Sequence, residues 1–126
     1  MSKRIFIVYG HHNTKKSFNQ SIRDTFIDEA KKNGHEIDLI NLHDEKPIPF
    51  FDGSPPSEQI LDYRNRLVKC DVMFMISPCY NLRATAILEN WIDIVLAPKF
   101  FFSFRRLVGN WGYPVANLSF IAPATG

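Results

Sequence analysis

Most of the features that would mark a special class of protein are scarce in this chain. Cysteine occurs twice, as Cys70 and Cys79, too few for the disulfide framework of a small secreted domain. Neither cysteine lies at zinc-site spacing from a histidine, and His11, His12, His35 and His43 form no ligand pattern among themselves, so no metal site is expected. Charge of one sign is not in excess: 15 Lys and Arg stand against 13 Asp and Glu, a formal net charge of +2. The basic residues are dispersed in pairs such as Lys15-Lys16 and Arg105-Arg106, leaving no stripe for nucleic acid. Long apolar runs are missing too. The most apolar stretch, residues 87–104, carries Glu89, Asp93, Pro98 and Lys99, so no insertion into a membrane is expected. The residues Met1-Ser-Lys-Arg4 lead straight into an apolar run with no small-residue cleavage site, so no signal peptide is read, and a cytoplasmic protein with reduced thiols is expected. There is no internal repeat and no interdomain linker.

What remains is the profile of an ordinary globular domain, one unit covering residues 1–126 with 45% hydrophobic residues and enough chain for a sizeable core. Arg4 to Tyr9 (RIFIVY) is apolar on both faces and ends at Gly10, the signature of a central parallel strand. Ser17 and Gln20 have capping-box spacing and open a helix whose apolar face is Phe18, Ile22, Phe26, Ile27 and Ala30, stopped at Gly34. A second strand spans His35 to Leu42, with Ile37, Leu39 and Ile40 inward. Residues 43–57 hold four of the eight prolines and the Asp52-Gly53 turn, hence a long surface loop. A helix follows over Glu58 to Lys69, with Ile60, Leu61, Leu67 and Val68 facing the core. Asp71 to Ser77 reads as a strand and Ala84 to Leu96 as a helix with a stripe of Ile87, Leu88, Trp91, Ile92 and Val95. After a Phe-rich connection, Ala116 to Ala122 is a fourth strand.

Strictly alternating strands and helices imply right-handed crossovers and a parallel sheet between helix layers. Ligands of such sheets bind at the carboxyl ends of strands, where strand order reverses. Three segments of this chain lie there. Gly10 to Asn19 is a polar loop running into a helix start, whose backbone N–H groups, with Ser17 and Asn19, can meet an anion; equally, Ser17 can simply cap its helix. Pro78-Cys-Tyr-Asn-Leu-Arg83 closes a buried strand and can wall a flat ring system, or be a plain connection with Tyr80 covering the sheet edge. Ala122-Pro-Ala-Thr-Gly126 is a small-residue turn that allows close backbone approach, or only a loop.

Taken together, these segments resemble a known family. Tyr9-Gly-His11 followed by Ser17-Phe18-Asn19 is similar to the first loop of flavodoxin-like NAD(P)H:quinone oxidoreductases, where a histidine precedes a Ser-Phe-Asn helix start that holds the flavin phosphate. The loop here is one residue longer, so either His11 or His12 matches that histidine. Pro78-Cys79-Tyr80-Asn81-Leu82, with Leu88-Glu-Asn-Trp-Ile-Asp93 after it, resembles the ring-binding loop and following helix of FMN-dependent azoreductases, as does Pro47-Ile-Pro-Phe-Phe-Asp-Gly53 after the second strand. Ala124-Thr125-Gly126 resembles the beginning of the Thr-Thr-Gly-Gly turn of the quinone reductases. Two departures stand out: Tyr80-Asn81 replaces the Gln-Trp pair of the FAD-type loop, and Thr85 replaces a proline common at the next helix start.

The resemblance implies an α/β flavodoxin-like three-layer sandwich that stops before the last helix and strand of the family. It implies FMN as cofactor, with FAD second, and NAD(P)H as co-substrate. It also implies two-electron hydride transfer to a quinone or azo acceptor and a homodimer. The cofactor contacts it implies are His11, Ser17, Phe18, Asn19, Pro78, Cys79, Tyr80, Asn81, Leu82, Thr125 and Gly126, with no catalytic acid or base assigned. Phe100, Phe101, Phe102 and Phe104 correspond to an aromatic segment near the pocket or dimer interface, or they fill core. The alternatives are a regulatory flavoprotein subunit of a potassium-efflux system and a non-catalytic truncated remnant, poorly soluble on its own because its fourth strand is left as an edge.

Overall fold

A computed structural model of the chain describes residues 2–12 and 15–96 in full and the backbone of residues 117–121. The described elements run β1 (Arg4–Tyr9), α1 (Phe18–Lys32), β2 (Glu36–Asn41), α2 (Glu58–Lys69), β3 (Val72–Ile76), α3 (Ala86–Val95) and β4 (Asn117–Ile121). All strand pairs are parallel and the order across the sheet is β2-β1-β3-β4. From β1 the chain first steps outward to β2, then crosses back over β1 to β3. The order therefore reverses between β1 and β3, and their carboxyl ends, Tyr9 and Ile76, lie in register.

Helices cover both faces. Ile5, Ile7, Tyr9, Phe74 and Ile76 pack beneath α1, with Phe26 stacked on Phe74 at 4.2 Å between ring centroids. The larger cluster on the opposite face joins Phe6, Val8, Ile40 and Met73 to Tyr63 and Leu67 of α2 and to Leu88, Trp91 and Val95 of α3. Two-sided burial explains why β1 and β3 are nearly all apolar: each has helices on both sides.

Four inward assignments made from periodicity are corrected. Phe18 and Leu39 are exposed, as are Leu61 and Val68 of α2. In α2 the buried positions are Ile60, Tyr63 and Leu67, a helical i, i+3, i+7 row that a tyrosine completes. Its hydroxyl donates to the Glu45 carboxylate at 2.9 Å, which lets a phenol sit in the core stripe. Leu39 lies on β2, which among the described strands stands at the edge with β1 as its one neighbour. Phe18 opens α1, and its ring lies with Ile22 and Phe26 on the helix flank instead of beneath the helix.

Candidate functional site

Two loops meet where the strand order reverses. The first follows β1. Gly10 continues the sheet by donating its N–H to the Ile76 carbonyl at 2.9 Å. A side chain at Gly10 is excluded for want of room: a Cβ there would lie 2.7 Å from Leu88 Cβ and 3.2 Å from Thr85 Oγ1. The glycine thus lets the start of α3 close onto the end of β1. His11 turns inward, only 2% exposed, and its ring stacks on Tyr9 at 5.9 Å and 5°. His12 turns outward to the rim, its ring 4.2 Å from that of His11. The structure thereby places the two histidines differently, one buried and one at the rim, where sequence spacing left either one to match.

Ser17 ends this loop and caps α1. Its hydroxyl accepts from the Gln20 N–H at 3.2 Å, as the capping spacing predicts, and lies 3.3 Å from the Tyr9 hydroxyl. Asn19 is fully buried in the first turn. The guanidinium of Arg23, one and a half turns into α1, lies 4.7 Å from the centroid of the Tyr9 ring, a cation–π contact just behind the loop. A helix start, a hydroxyl and a nearby guanidinium make the beginning of α1 suited to an anion.

The second loop follows β3. The Ser77 hydroxyl is buried and donates to the Pro78 carbonyl at 3.1 Å. Tyr80 and Arg83 exchange both backbone hydrogen bonds, at 3.0 and 3.2 Å, around a two-residue turn. Both central residues are left-handed, Asn81 with φ 52° and Leu82 with φ 62°. This is the turn a hairpin of this length requires, built without glycine. For leucine that conformation costs about 1–2 kcal/mol. Nothing in the hydrophobic pattern foretold it: Leu82, read as part of the connecting loop, is 97% exposed. The Tyr80 hydroxyl then reaches back to the first loop, 2.9 Å from His12 Nδ1.

Thr85 joins the two loops a second time. Its hydroxyl donates to the Gly10 carbonyl at 2.9 Å and makes no capping bond to its own helix. A group on α3 is thereby used to hold β1, and the first turn of α3 is left without a side-chain cap. Beside it a cleft of about 460 Å³ opens among Phe50, Tyr80, Asn81, Arg83, Glu89 and Asp93. Its outer rim belongs to the loop after β2, anchored where Asn90 Nδ2 donates to the Ile48 carbonyl at 3.1 Å.

Of the residues implied by the family resemblance, His11, Ser17, Asn19 and Pro78 to Leu82 border the paired loops. Phe18 points along the outside of α1, and Thr125 and Gly126 lie outside the described residues, as do Phe100 to Phe104. Sequence reasoning missed Gly10, Thr85 and Arg23. The only available signals were a glycine directly after a buried strand and a hydroxyl residue where a proline is usual. Among the described residues there is no cluster of His, Cys, Asp and Glu that could hold a metal ion.

The pattern that defines a family of flavodoxin-like fold matches residues 3–117, and the chain belongs to that family. Among curated relatives, the FMN-dependent NADH:quinone oxidoreductase 4 of Burkholderia lata is 28% identical over 130 residues, covering 89% of this chain and 62% of its own length. Among solved structures, an NAD(P)H:quinone oxidoreductase from Methanothermobacter marburgensis superposes with a TM-score of 0.72 at 18% identity, covering 94% of this chain and 64% of that one. An FMN-dependent NADH-azoreductase from Bacillus anthracis, solved with FMN, gives 0.65 at 15% identity, with 81% and 59% covered. At these identities the superpositions establish the fold, and the chain spans under two thirds of the length of each of these proteins.

Proposed function

We propose that this chain forms the FMN-holding part of an NAD(P)H-dependent oxidoreductase acting on a flat acceptor, a quinone or an azo compound. The observation that carries the reading is the double tie between the two loops at the reversal point, Thr85 to Gly10 and Tyr80 to His12, each 2.9 Å long. It fixes an anion-suited helix start beside an aromatic wall, the two halves that a phosphate-bearing ring compound requires. The FMN dependence of the quinone oxidoreductase and azoreductase relatives supports FMN over FAD, and so does the loop carrying Tyr80-Asn81.

In this reading the Ser17 hydroxyl and the first-turn N–H groups of α1 bind the phosphate. Pro78 to Leu82 lie along the ring edge. Gly10 and Thr85 set how closely α3 approaches that ring. Bound there, FMN would supply the two-electron hydride chemistry between the reduced nicotinamide and the acceptor. The protein orients the partners and shields them from water, and the assignment needs no acid or base from the chain. We extend the reading to a homodimer in a thiol-reducing compartment: Phe50, 84% exposed, and Phe51 beside it present an apolar surface at the cleft rim.

The test is reconstitution with FMN, removal of free flavin by gel filtration, and a visible spectrum before and after anaerobic addition of NADH or NADPH. Retained yellow flavin, identified after release and bleached by the nucleotide, is the expected result. Failure to retain either FMN or FAD overturns the proposal.

A further inference from the structure

Four rings form a column between the two loops. Tyr9 stacks on His11 at 5.9 Å, His11 on His12 at 4.2 Å, and His12 stands 6.0 Å from Tyr80 while bonding its hydroxyl at 2.9 Å. The column begins on a buried strand and ends on the one part of the site that has least reason to stay in place. Tyr80 is mounted on a turn with two successive left-handed residues, one of them a leucine that packs against nothing because it is 97% exposed. Backbone held in such a conformation persists only where the surroundings over-determine it. Two things do so here, the reciprocal backbone bonds between Tyr80 and Arg83 and the Tyr80–His12 hydrogen bond.

We infer that His12 is a positioning residue: it holds Tyr80, and through it the left-handed turn, at the separation from β1 that a bound flavin ring requires. His12 acts on the ring end of the ligand by way of Tyr80, not as a donor to the phosphate. The inference rests on the flavin reading above, and its test has an arm that does not.

In the flavin-free chain, amide hydrogen exchange at Arg83, whose N–H closes the turn on the Tyr80 carbonyl, reads the clasp directly. His12→Phe keeps a ring on His11 and removes the bond; Tyr80→Phe removes one oxygen. Each is expected to speed exchange at Arg83 roughly five- to tenfold, the double variant no more than either single one. His12→Asn, which retains a side-chain amide near the Nδ1 position, restores most of the protection. Unchanged exchange in the single variants, or additive effects in the double, overturns the clasp whether or not flavin binds.

In the second arm the affinity of His12→Phe is compared for FMN and for riboflavin, which has the ring without the phosphate. An equal fractional loss for both, again about five- to tenfold, supports positioning. A loss confined to FMN makes His12 a phosphate donor and overturns the inference. A wild-type chain that binds neither compound sinks the flavin reading, while the exchange result still decides whether the clasp exists.

Discussion

Ser17 and Thr85 stand at the starts of α1 and α3, on opposite faces of the sheet, and carry the same chemical group. Ser17 uses its hydroxyl close at hand, accepting from the Gln20 N–H of its own helix and lying 3.3 Å from the Tyr9 hydroxyl eight residues back. Thr85 spends its hydroxyl on the Gly10 carbonyl and leaves its own helix without a side-chain cap. The helix end of the first loop is stabilised locally. The second is stabilised by what it reaches across to, namely Gly10 and His12. A loop of the first kind survives changes elsewhere in the molecule, and one of the second kind transmits them.

The largest expected effect falls where the two loops touch. Gly10→Ala places a Cβ 2.7 Å from Leu88 Cβ, and overpacking of this kind costs about 1–3 kcal/mol; urea unfolding should show the upper part of that range. Thr85→Val comes next. It keeps the volume but leaves a buried carbonyl unpaired, at about 1–3 kcal/mol, and Thr85→Ser should recover most of it. Ser17→Ala removes a cap and a short-range contact with the Tyr9 hydroxyl, at about 1 kcal/mol, and should weaken FMN more than riboflavin. If Ser17→Ala destabilised more than Thr85→Val, the distinction between local and reaching loops would be lost. Leu82→Gly should raise stability by up to about 1 kcal/mol, since the side chain buries nothing and φ is 62°.

The smallest effect is a contrast along β3 itself. Burial, aided by the nearby Asp71 charge, pushes the thiol of Cys70 at the strand's entry up from 9.0 to about 11. Folding therefore favours the neutral thiol. Its contribution to stability is complete below pH 9 and falls away as pH rises towards 11, where the unfolded chain ionises and the folded one resists. Iodoacetamide at neutral pH should label the half-buried Cys79 and spare Cys70 until the chain unfolds, and retained FMN should slow labelling at Cys79.

The comparison also accounts for which features sequence reasoning found. Ser17 and Gln20 were found because capping is decided within one turn of chain. The strands were found because burial on both faces leaves β1 and β3 almost without polar residues. Gly10 and Thr85 were not, since the reason for each lies in a segment some 75 residues away. The turn at Asn81-Leu82 was hidden for the opposite reason: its chemistry is local, but leucine gives no warning of a left-handed backbone. His11 and His12 are indistinguishable by composition, and only the alternation of inward and outward directions past the end of β1 separates them. In α2, Leu61 and Val68 drew attention from Tyr63 because hydrophobicity alone ranks a tyrosine low, whereas a phenol with a carboxylate acceptor packs as core.

The ties across the cleft join residues 75 and 68 positions apart, Gly10 with Thr85 and His12 with Tyr80. Such contacts carry a high loop-closure cost and form after local structure. During synthesis the loop that ends β1 leaves the ribosome long before the segment that must hold it exists. The cleft is therefore a late product of folding: the chain must complete β3 and the beginning of α3 before the site has two sides. A nascent chain halted at α2 would carry the Ser17 cap intact and have no wall to set against it.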